Sequence, residues 1–148
     1  MLISVKPYII KSVPRNAKTY PLDLFFRALA DRTRLRLLNL IADKEICVCY
    51  FVQILRVNQP KISRHLAYLR RAGMVAARRQ GRWMHYRLAF PSDAVASALL
   101  KETIAHLRQL PEMQADLAKL DSSCCEPGFA RLPRQAPQPL VPPVVAAQ

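Results

Sequence analysis

Four cysteines in two close pairs are the residues of this chain best suited to chemistry: Cys47 with Cys49, and Cys124 with Cys125. Thiolates favour soft metal ions. In a reducing compartment, such close pairs indicate metal or redox chemistry more than structural disulfides. The alternative is that Cys47 and Cys49 are small buried apolar residues and that Cys124 and Cys125 are an unused surface pair.

The spacing of Cys47 and Cys49 limits how they share a ligand. On an ideal α-helix, positions i and i+2 lie about 200° apart, because each turn holds about 3.6 residues. Two cysteines inside one helix could therefore bind one ion only if the helix N-terminus unwound. A helix N-terminus also lowers the pKa of a thiol, which favours the thiolate that metals bind. The spacing predicts a switch in which helical hydrogen bonds are exchanged for sulfur bonds.

Residues 58–73, NQPKISRHLAYLRRAG, are predicted to form one amphipathic helix that organises the rest of the chain. Asn58 is a favourable N-cap, and Pro60 in the first turn loses no hydrogen bond. Gly73, after two arginines, is typical of a helix C-terminus. Hydrophobic residues recur at helical spacing on one face, and basic and polar residues occupy the other. The core-facing residues are Ile62, Leu66 and Leu69, and the outward-facing residues are Lys61, Arg64, His65, Tyr68 and Arg71.

The charges around this helix are all of one sign. The chain of 148 residues has a formal net charge of +13, and the interval between Glu45 and Asp93 holds nine basic residues and no acidic one. Such one-signed charge is typical of a surface that binds a polyanion. A basic surface that only confers solubility is the alternative. Because the acid-free interval coincides with the amphipathic helix, we expect double-stranded DNA as the partner.

Two flanking segments complete a DNA-binding motif. Residues 46–55 are apolar with a period ambiguous between strand and helix, and we predict a helix from about Cys49. A tight connection joins it to the 58–73 helix, which makes a helix-turn-helix whose second helix enters the major groove. Residues 74–88 alternate at strand spacing, with a turn at Gln80 and Gly81, and predict a basic hairpin, or wing. The predicted DNA contacts are Gln59, Lys61, Ser63, Arg64, His65, Tyr68, Arg71, Arg78, Arg79 and Arg82.

The remaining apolar segments are predicted to be helices. Residues 21–30 and 31–42 carry apolar stripes that pack in a core. Residues 91–120 return to helical spacing, with a kink or restart at Pro111. Their stripe is expected to pair with a second copy in a C2 dimer, and folding back on its own domain is the alternative. The stripe comprises Ala96, Leu100, Ile104 and Leu107, continued by Met113, Leu117 and Leu120.

These elements predict a mainly α (α+β) fold, a winged helix-turn-helix with a two-stranded wing and terminal dimerisation helices. Residues 21–120 form the dimer domain, 1–20 a flexible basic extension, and 121–148 a Cys-Cys segment followed by a proline-rich disordered tail. No apolar run approaches the roughly 20 residues of a membrane span, and no signal-peptide cleavage site is evident. We therefore expect a cytoplasmic protein without a membrane partner.

Four motifs together resemble the ArsR/SmtB family of winged-helix repressors: LADRTRLRLL (29–38), EICVC (45–49), QPKISRHLAYLRRAGMV (59–75) and RRQGRWMHYRL (78–88). The resemblance covers residues 22–110 and implies a repressor that binds operator DNA as a homodimer. EICVC is most similar to the arsenic-responsive branch, and Cys47 and Cys49 align with its Cys-Val-Cys element. In that branch, metalloid binding releases the repressor from the operator of a detoxification operon, which implies As(III) or Sb(III) as the inducer.

The sequence departs from this branch near the cysteines. Val52 stands where a third cysteine often occurs, and Tyr50 replaces the usual acidic residue. The third thiolate could come from Cys124 or Cys125 of either subunit. Alternatively, each pair is a two-thiol site, which suits an organic arsenical with two open valences. Zn(II) is a less favoured ligand, since His106 stands alone where some relatives carry paired zinc ligands on the last helix.

Three other functions compete with a repressor that is released by metalloid. A thiol redox-sensing repressor would oxidise one of the two cysteine pairs instead of binding an ion. A cysteine-dependent detoxification enzyme is opposed by the absence of a Cys-x-x-Cys motif, a βαβ pattern and a phosphate loop in a chain with only three glycines. An architectural DNA binder would bind random duplex as tightly as any operator. We therefore expect a regulator without enzymatic activity.

Overall fold

Six helices and one three-stranded antiparallel sheet form the part of the chain that the computed structural model describes, residues 20–125 and 137–140. The helices are α1 (Leu22–Leu29), α2 (Arg32–Ile41), α3 (Val48–Leu55), α4 (Gln59–Arg71), α5 (Ala94–Leu107) and α6 (Pro111–Cys125), and the strands are β1 (Ile46–Cys47), β2 (Val75–Gln80) and β3 (Trp83–Leu88). No helix of the described residues is long and apolar enough to cross a membrane. The mainly α (α+β) winged-helix prediction is confirmed.

The predicted helix ends are confirmed where a side chain satisfies the first free backbone N–H groups. The Asn58 side chain accepts a hydrogen bond from the Lys61 N–H at 3.0 Å, and Asp31 accepts one from the Arg34 N–H at 2.9 Å. Each cap of this kind stabilises its helix by about 1 kcal/mol. At the other end of α4, Gly73 has a φ of 73°, which a residue with a Cβ adopts only with strain. These signals fix α4 at both ends.

Residues 46–55 contain a strand and a helix, which explains their ambiguous period. Ile46 and Cys47 pair with Tyr86 and His85 of β3, and α3 then begins at Val48, one residue before the predicted start. The predicted two-stranded wing is therefore the larger part of a three-stranded sheet with the order β1-β3-β2. A two-residue strand is too short for its periodicity to be seen in the sequence.

The wing hairpin is confirmed, but its turn lies one residue later than predicted. Gln80 pairs with Trp83, so Gly81 and Arg82 form the turn rather than Gln80 and Gly81. Two-residue hairpin turns need a positive φ, and Gly81 supplies a φ of 58°.

The apolar stripe of α5 and α6 is buried within its own subunit. Every residue of the predicted stripe except the half-buried Leu117 is buried by the single chain, and α6 packs against α2 and α3. The expectation that this stripe pairs with a second copy is therefore wrong, and the alternative of folding back on the same domain is correct. The reason is that α2 and α3 are too short to close the core without α5 and α6. The restart of the helix at Pro111 is confirmed.

Ion pairs hold α6 against α2. The Arg36 guanidinium donates two hydrogen bonds to the Asp116 carboxylate, at 2.6 and 2.8 Å, and Asp116 is buried. Arg32 contacts Glu112 at 2.8 Å, and Lys44 contacts Asp121 at 2.7 Å near the end of α6. This arrangement places the last turn of α6, which contains Cys124 and Cys125, beside the segment that leads into β1.

The chain after α6 returns to the sheet at one point. Leu140 forms an antiparallel bridge with Glu45, and its N–H donates to the Glu45 carbonyl at 2.8 Å. This differs from the prediction of a tail without packing partners, because the free edge of a strand accepts any extended segment. The predicted flexible extension spans residues 1–20, of which only Tyr20 is described, and its hydroxyl donates to the Ala72 carbonyl. The other parts of the predicted disordered tail, at 126–136 and 141–148, lie outside the described residues. The side chains of Cys124 and Cys125 also lie outside them.

Candidate thiol site and nucleic-acid interface

The sulfur atoms of Cys47 and Cys49 lie 3.0 Å apart, with the Cys49 thiol donating to Cys47. Cys47 is the N-cap of α3 and has an extended backbone, with φ −69° and ψ 143°. Only Cys49 is inside the helix, so the 200° separation expected of two helical residues does not apply. The predicted need to unwind α3 before the two thiols can share a ligand is therefore wrong. The strand-to-helix junction has already brought the sulfur atoms together.

The 3.0 Å distance between the sulfur atoms lies between that of a disulfide and that of two thiolates bound to one metal ion. A disulfide needs about 2.05 Å. Two thiolates on one tetrahedral zinc, with bonds of about 2.3 Å, are about 3.8 Å apart. A change of sulfur separation by about 1 Å would therefore convert the pair to either state. Cys47 is fully buried and Cys49 is half-buried, so a ligand would reach the pair from the Cys49 side.

Hydrogen bonding divides the two cysteines into an acceptor and a donor. The hydrogen bond from Cys49 lowers the pKa of Cys47 to about 7, helped by the backbone N–H groups of Cys49 and Val48 and opposed by burial. The same hydrogen bond, followed by burial, raises the pKa of Cys49 above its ordinary value. At neutral pH the site is thus prepared to hold one thiolate beside one thiol. Thiolate is the form that binds soft ions and attacks oxidants.

A third ligand to Cys47 and Cys49 is not supplied by the described side chains. Among residues 20–123 and 137–140, no group of three His, Cys, Asp or Glu residues is arranged to hold a metal ion. Val52 and Tyr50 offer no thiolate. The backbone of the last turn of α6 lies close by, because Asp121, three residues before Cys124, pairs with Lys44, three residues before Cys47.

The buried carboxylate of Glu45, beside β1, was not predicted from the sequence to belong to a functional site. Glu45 precedes β1 directly, and its carboxylate contacts the Arg78 guanidinium of β2 at 2.6 Å. His85 of β3 lies beneath this ion pair, with its Nδ1 3.9 Å from Glu45 and no hydrogen-bond partner on either ring nitrogen within the described part of the chain. Burial, followed by the Arg78 charge, lowers the pKa of His85, so its ring is neutral at neutral pH. The alternating pattern of 83–88 was a signal that His85 shares a face with Trp83, but not that it is buried.

The residues on the outward face of α4 differ in their exposure to solvent. Gln59, Lys61, Arg64 and Arg71 are exposed, whereas Ser63, His65 and Tyr68 are half-buried. His65 lies 3.5 Å from Asp31, and burial lowers its pKa, so it carries no charge for DNA at neutral pH.

Tyr68 joins this face to α2. The Tyr68 ring lies between the guanidiniums of Arg34 and Arg71, at 4.5 and 4.7 Å from its centroid. Arg34 also donates to the carbonyls of Ala28 and Arg27, so it holds the end of α1. An open cleft of about 300 Å³ lies between α2 and α4, lined by Arg34, Lys61, Arg64, His65 and Tyr68.

The three wing arginines occupy different environments. Arg79 is exposed, and its Nε donates to the Gly81 carbonyl at 2.9 Å. Arg82 in the turn stacks over the Trp83 ring at 5.0 Å. Arg78 lies in the middle of β2 and is bound by Glu45 and by Gln80, whose Oε1 accepts from it at 3.1 Å. Arg79 and Arg82 are therefore at the tip, as predicted, whereas Arg78 is not.

Comparison with known proteins finds similarity over the helix-turn-helix and beyond. Residues 31–77 match the family model described as "Bacterial regulatory protein, arsR family". The chain is 46% identical over 82 residues to the arsenic resistance transcriptional regulator ArsR1 of Pseudomonas putida, a match that covers 55% of this chain and 64% of that protein. It is 41% identical over 108 residues to ArsR2 of the same organism, covering 68% of this chain and 94% of ArsR2. Among solved structures, HlyU from Vibrio cholerae superposes with a TM-score of 0.51 at 27% identity, covering 60% of this chain and 92% of that chain.

Proposed function

The chain belongs to the arsR family of bacterial regulatory proteins, and we propose that it is a transcriptional repressor that binds operator DNA as a homodimer and is released when As(III) or Sb(III) binds its cysteine thiolates. The observation that carries this proposal is the 3.0 Å contact between Cys47 and Cys49 at the first turn of α3, the first helix of the helix-turn-helix. Paired thiolates suit soft trivalent ions better than they suit hard ones. Zn(II) is the less favoured ligand.

DNA binding is proposed to use α4 and the wing. Helix α4 presents Lys61, Arg64 and Arg71 to solvent on a face without acidic residues. Arginine recognises guanine edges and phosphates with a bidentate fork, so these side chains suit both base and backbone contacts. Arg79 and Arg82 at the wing tip extend the same basic surface towards the adjacent phosphates. The remaining proposed contacts are Gln59, Ser63, His65, Tyr68 and Arg78.

The switch is proposed to act through α3. When Cys47 and Cys49 bind one ion, their sulfur atoms adopt the separation set by that ion, which moves the junction between β1 and α3. Helix α3 packs against α4 and is joined to it by residues 56–58, so the recognition helix is repositioned. Couplings between sites of about 1–3 kcal/mol correspond to a roughly 5–150-fold change in DNA affinity, which is enough for release.

A third thiolate is proposed to come from Cys124 or Cys125. The Lys44–Asp121 ion pair supports this assignment, since it holds the last turn of α6 beside the approach to β1. With a third sulfur the site would suit inorganic As(III), and with only two it would suit an organic arsenical.

The proposal is tested by fluorescence anisotropy on the DNA upstream of the gene, titrated separately with As(III), Sb(III), Zn(II) and peroxide. Release is expected with As(III) or Sb(III). The Cys47→Ser variant should bind the operator normally and fail to release, and the matched Cys124→Ser and Cys125→Ser variants should show whether the second pair contributes. Release by peroxide alone would instead identify a redox-sensing repressor, which the short sulfur–sulfur distance would also permit. Indifference to all four would leave a DNA-binding protein whose cysteines do not regulate it.

A further inference from the structure

We propose that Glu45 is a positioning residue that couples the Cys47–Cys49 pair to the wing through its carboxylate contact with Arg78. This inference rests on the proposed function, because it concerns how ligand binding at the same cysteines is transmitted. Helix α3 gives one route, to α4. Glu45 gives a second route, to β2, and the two routes end on different parts of the proposed DNA surface.

The sheet register places Glu45 where it can connect two strands that are not neighbours. Cys47 of β1 is opposite His85 of β3, and His85 is opposite Arg78 of β2. Glu45 is two residues before Cys47 and therefore projects from the same face of the sheet. Its carboxylate reaches over His85 to the Arg78 guanidinium at 2.6 Å. The outer strands β1 and β2 are thereby joined directly, across β3.

The surroundings of the Glu45–Arg78 ion pair determine how strongly the two side chains interact. The Glu45 side chain is only 10% exposed, whereas that of Arg78 is 45% exposed, so the ion pair is shielded from solvent on the Glu45 side. His85 lies 3.9 Å from Glu45, and its neutral ring supplies no competing charge; the antiparallel register places Arg87 opposite Glu45 at the end of the strand pairing. Arg78 thus has a single carboxylate partner among the described residues, and Gln80 holds one of its remaining N–H groups.

Few backbone pairings hold β1, so a movement of the cysteines can displace Glu45. The strand is two residues long and pairs with β3 at two positions, and on its free edge Glu45 pairs with Leu140, the one such bridge in the described part of the chain. A shift of the Cys47 backbone therefore displaces Glu45 against few restraints. Because the carboxylate contacts Arg78, that displacement changes the position of the guanidinium and of the strand that leads to the wing tip.

The test compares operator affinity without and with saturating Sb(III) in wild-type protein and in Glu45→Gln. Glutamine keeps the shape and one acceptor but loses the charge. The ratio of the two dissociation constants should fall by about fivefold or more in Glu45→Gln, which is the lower end of typical couplings between sites. Arg78→Gln should lower the ratio to the same extent, and the double variant should lower it no further. Binding of Sb(III) to the thiols should be unchanged in all three.

Arg79→Gln is the matched control, because Arg79 is the next residue on β2 and contacts Gly81 instead of Glu45. It should weaken DNA binding equally with and without Sb(III), which leaves the ratio at its wild-type value. An unchanged ratio in both Glu45→Gln and Arg78→Gln, with wild-type release intact, would overturn the inference. A ratio lowered as much by Arg79→Gln would also overturn it, since any loss of wing charge would then suffice.

A second readout separates this inference from the proposed function. The Arg78 Nε–H resonance is followed by heteronuclear NMR, without DNA, while phenylarsine oxide, a reagent for paired thiols, is added. The resonance should shift in wild-type protein and stay in place in Glu45→Gln. If wild-type protein does not release DNA with Sb(III) but this shift occurs, the proposed function fails and the coupling stands. If the wild-type resonance does not move, the coupling fails whatever the release experiment shows.

Discussion

At the scale of single residues, the position of Cys47 just outside α3 determines the chemistry of the thiol pair. An N-cap residue has an extended backbone and can accept hydrogen bonds from the first N–H groups of its helix. The Cys49 thiol donates to Cys47, and the nearby backbone N–H groups of Cys49 and Val48 also favour the thiolate, so the pKa of Cys47 falls to about 7. Cys49, which donates, remains a thiol. The two cysteines are thus unequal before any ligand arrives.

This inequality predicts a change in titration when the donor is removed. In a background that carries Cys124→Ser and Cys125→Ser, Cys47 should become a thiolate as the pH rises through about 7. The Cys49→Ala variant lacks the largest cause of that lowering, so the pKa of Cys47 should move up towards its ordinary value and the thiolate should appear only at higher pH. The ultraviolet absorbance of the thiolate measures both transitions. A midpoint that Cys49→Ala leaves unchanged would mean that the backbone N–H groups alone activate Cys47.

The sequence predicts the important residue types better than their contacts. Cys47, Cys49 and the outward face of α4 were identified from spacing and charge, because those features are local. The contact between Glu45 and Arg78 joins residues 33 positions apart, and it exists only because β1 and β2 flank β3. A register that depends on a two-residue strand leaves no periodic signal. The wing arginines therefore looked equivalent in sequence, although Arg78 contacts a buried carboxylate.

At the scale of secondary-structure elements, boundaries marked by a cap were predictable and those set by tertiary pairing were not. Asn58 caps the start of α4 and Gly73 follows its end as predicted, and Asp31 caps α2 at the start of the predicted range 31–42. The start of α3 depends on β1, and the hairpin turn depends on the pairing of Gln80 with Trp83. The sequence pattern alone also did not determine which surface the apolar stripe of α5 and α6 packs against. An apolar stripe shows that a face is buried, but it does not say whether the same chain or a second copy buries it.

The ion pair between Arg36 of α2 and Asp116 of α6 should contribute measurably to the free energy of unfolding. Asp116 is buried and receives two hydrogen bonds from Arg36, so Asp116→Asn removes the nearer charged partner of the guanidinium and leaves only the Glu112 carboxylate at 3.7 Å. Breaking a buried pair costs about 3–5 kcal/mol, and because Arg36 is partly exposed we expect about 2–3 kcal/mol after allowance for solvent screening. Urea unfolding measures the loss.

Glu112→Gln is the matched control for the Arg36–Asp116 ion pair. Its ion pair with Arg32 belongs to the same seam, but both side chains are solvated, at 77% and 36% exposure. Exposed pairs of this kind contribute about 0–1 kcal/mol. Equal losses for the two variants would show that burial of Asp116 adds nothing to the attachment of α6.

At the scale of the whole molecule, several acidic residues pair with basic residues that lie outside α4 and the wing. Asp23 pairs with Arg27 on α1, Asp116 with Arg36 on α2, and Asp43 with Arg108 at the end of α5. Glu45 is the acid nearest the wing, and it is buried. The interval between Glu45 and Asp93, which contains α4 and the wing, holds nine basic residues and no acidic one, so positive charge is concentrated on these elements. This separation of charge favours a polyanionic partner more strongly than the total alone.

Dimerisation is proposed to use the apolar residues that the subunit leaves exposed. On α1, Leu22 and Phe26 are 42% and 54% exposed, and on α5, Val95 and Leu99 are 61% and 37% exposed. Exposed apolar side chains of this kind are typical of an interface when they form one patch. A two-fold axis through it would present two copies of α4 to a palindromic operator.

Phe26→Glu should therefore convert the dimer to a monomer without unfolding it, since the ring is exposed and the core residue beside it, Phe25, is unchanged. Sedimentation should show half the wild-type mass, with the same circular dichroism. Because one subunit then contacts about half as many phosphates, the slope of log affinity against log salt should fall to roughly half its wild-type value. Phe90→Glu is the control: Phe90 is 47% exposed but lies against Lys101, on another face of α5 from Val95 and Leu99. A Phe26→Glu protein that remains dimeric, or a Phe90→Glu protein that dissociates, would place the interface elsewhere.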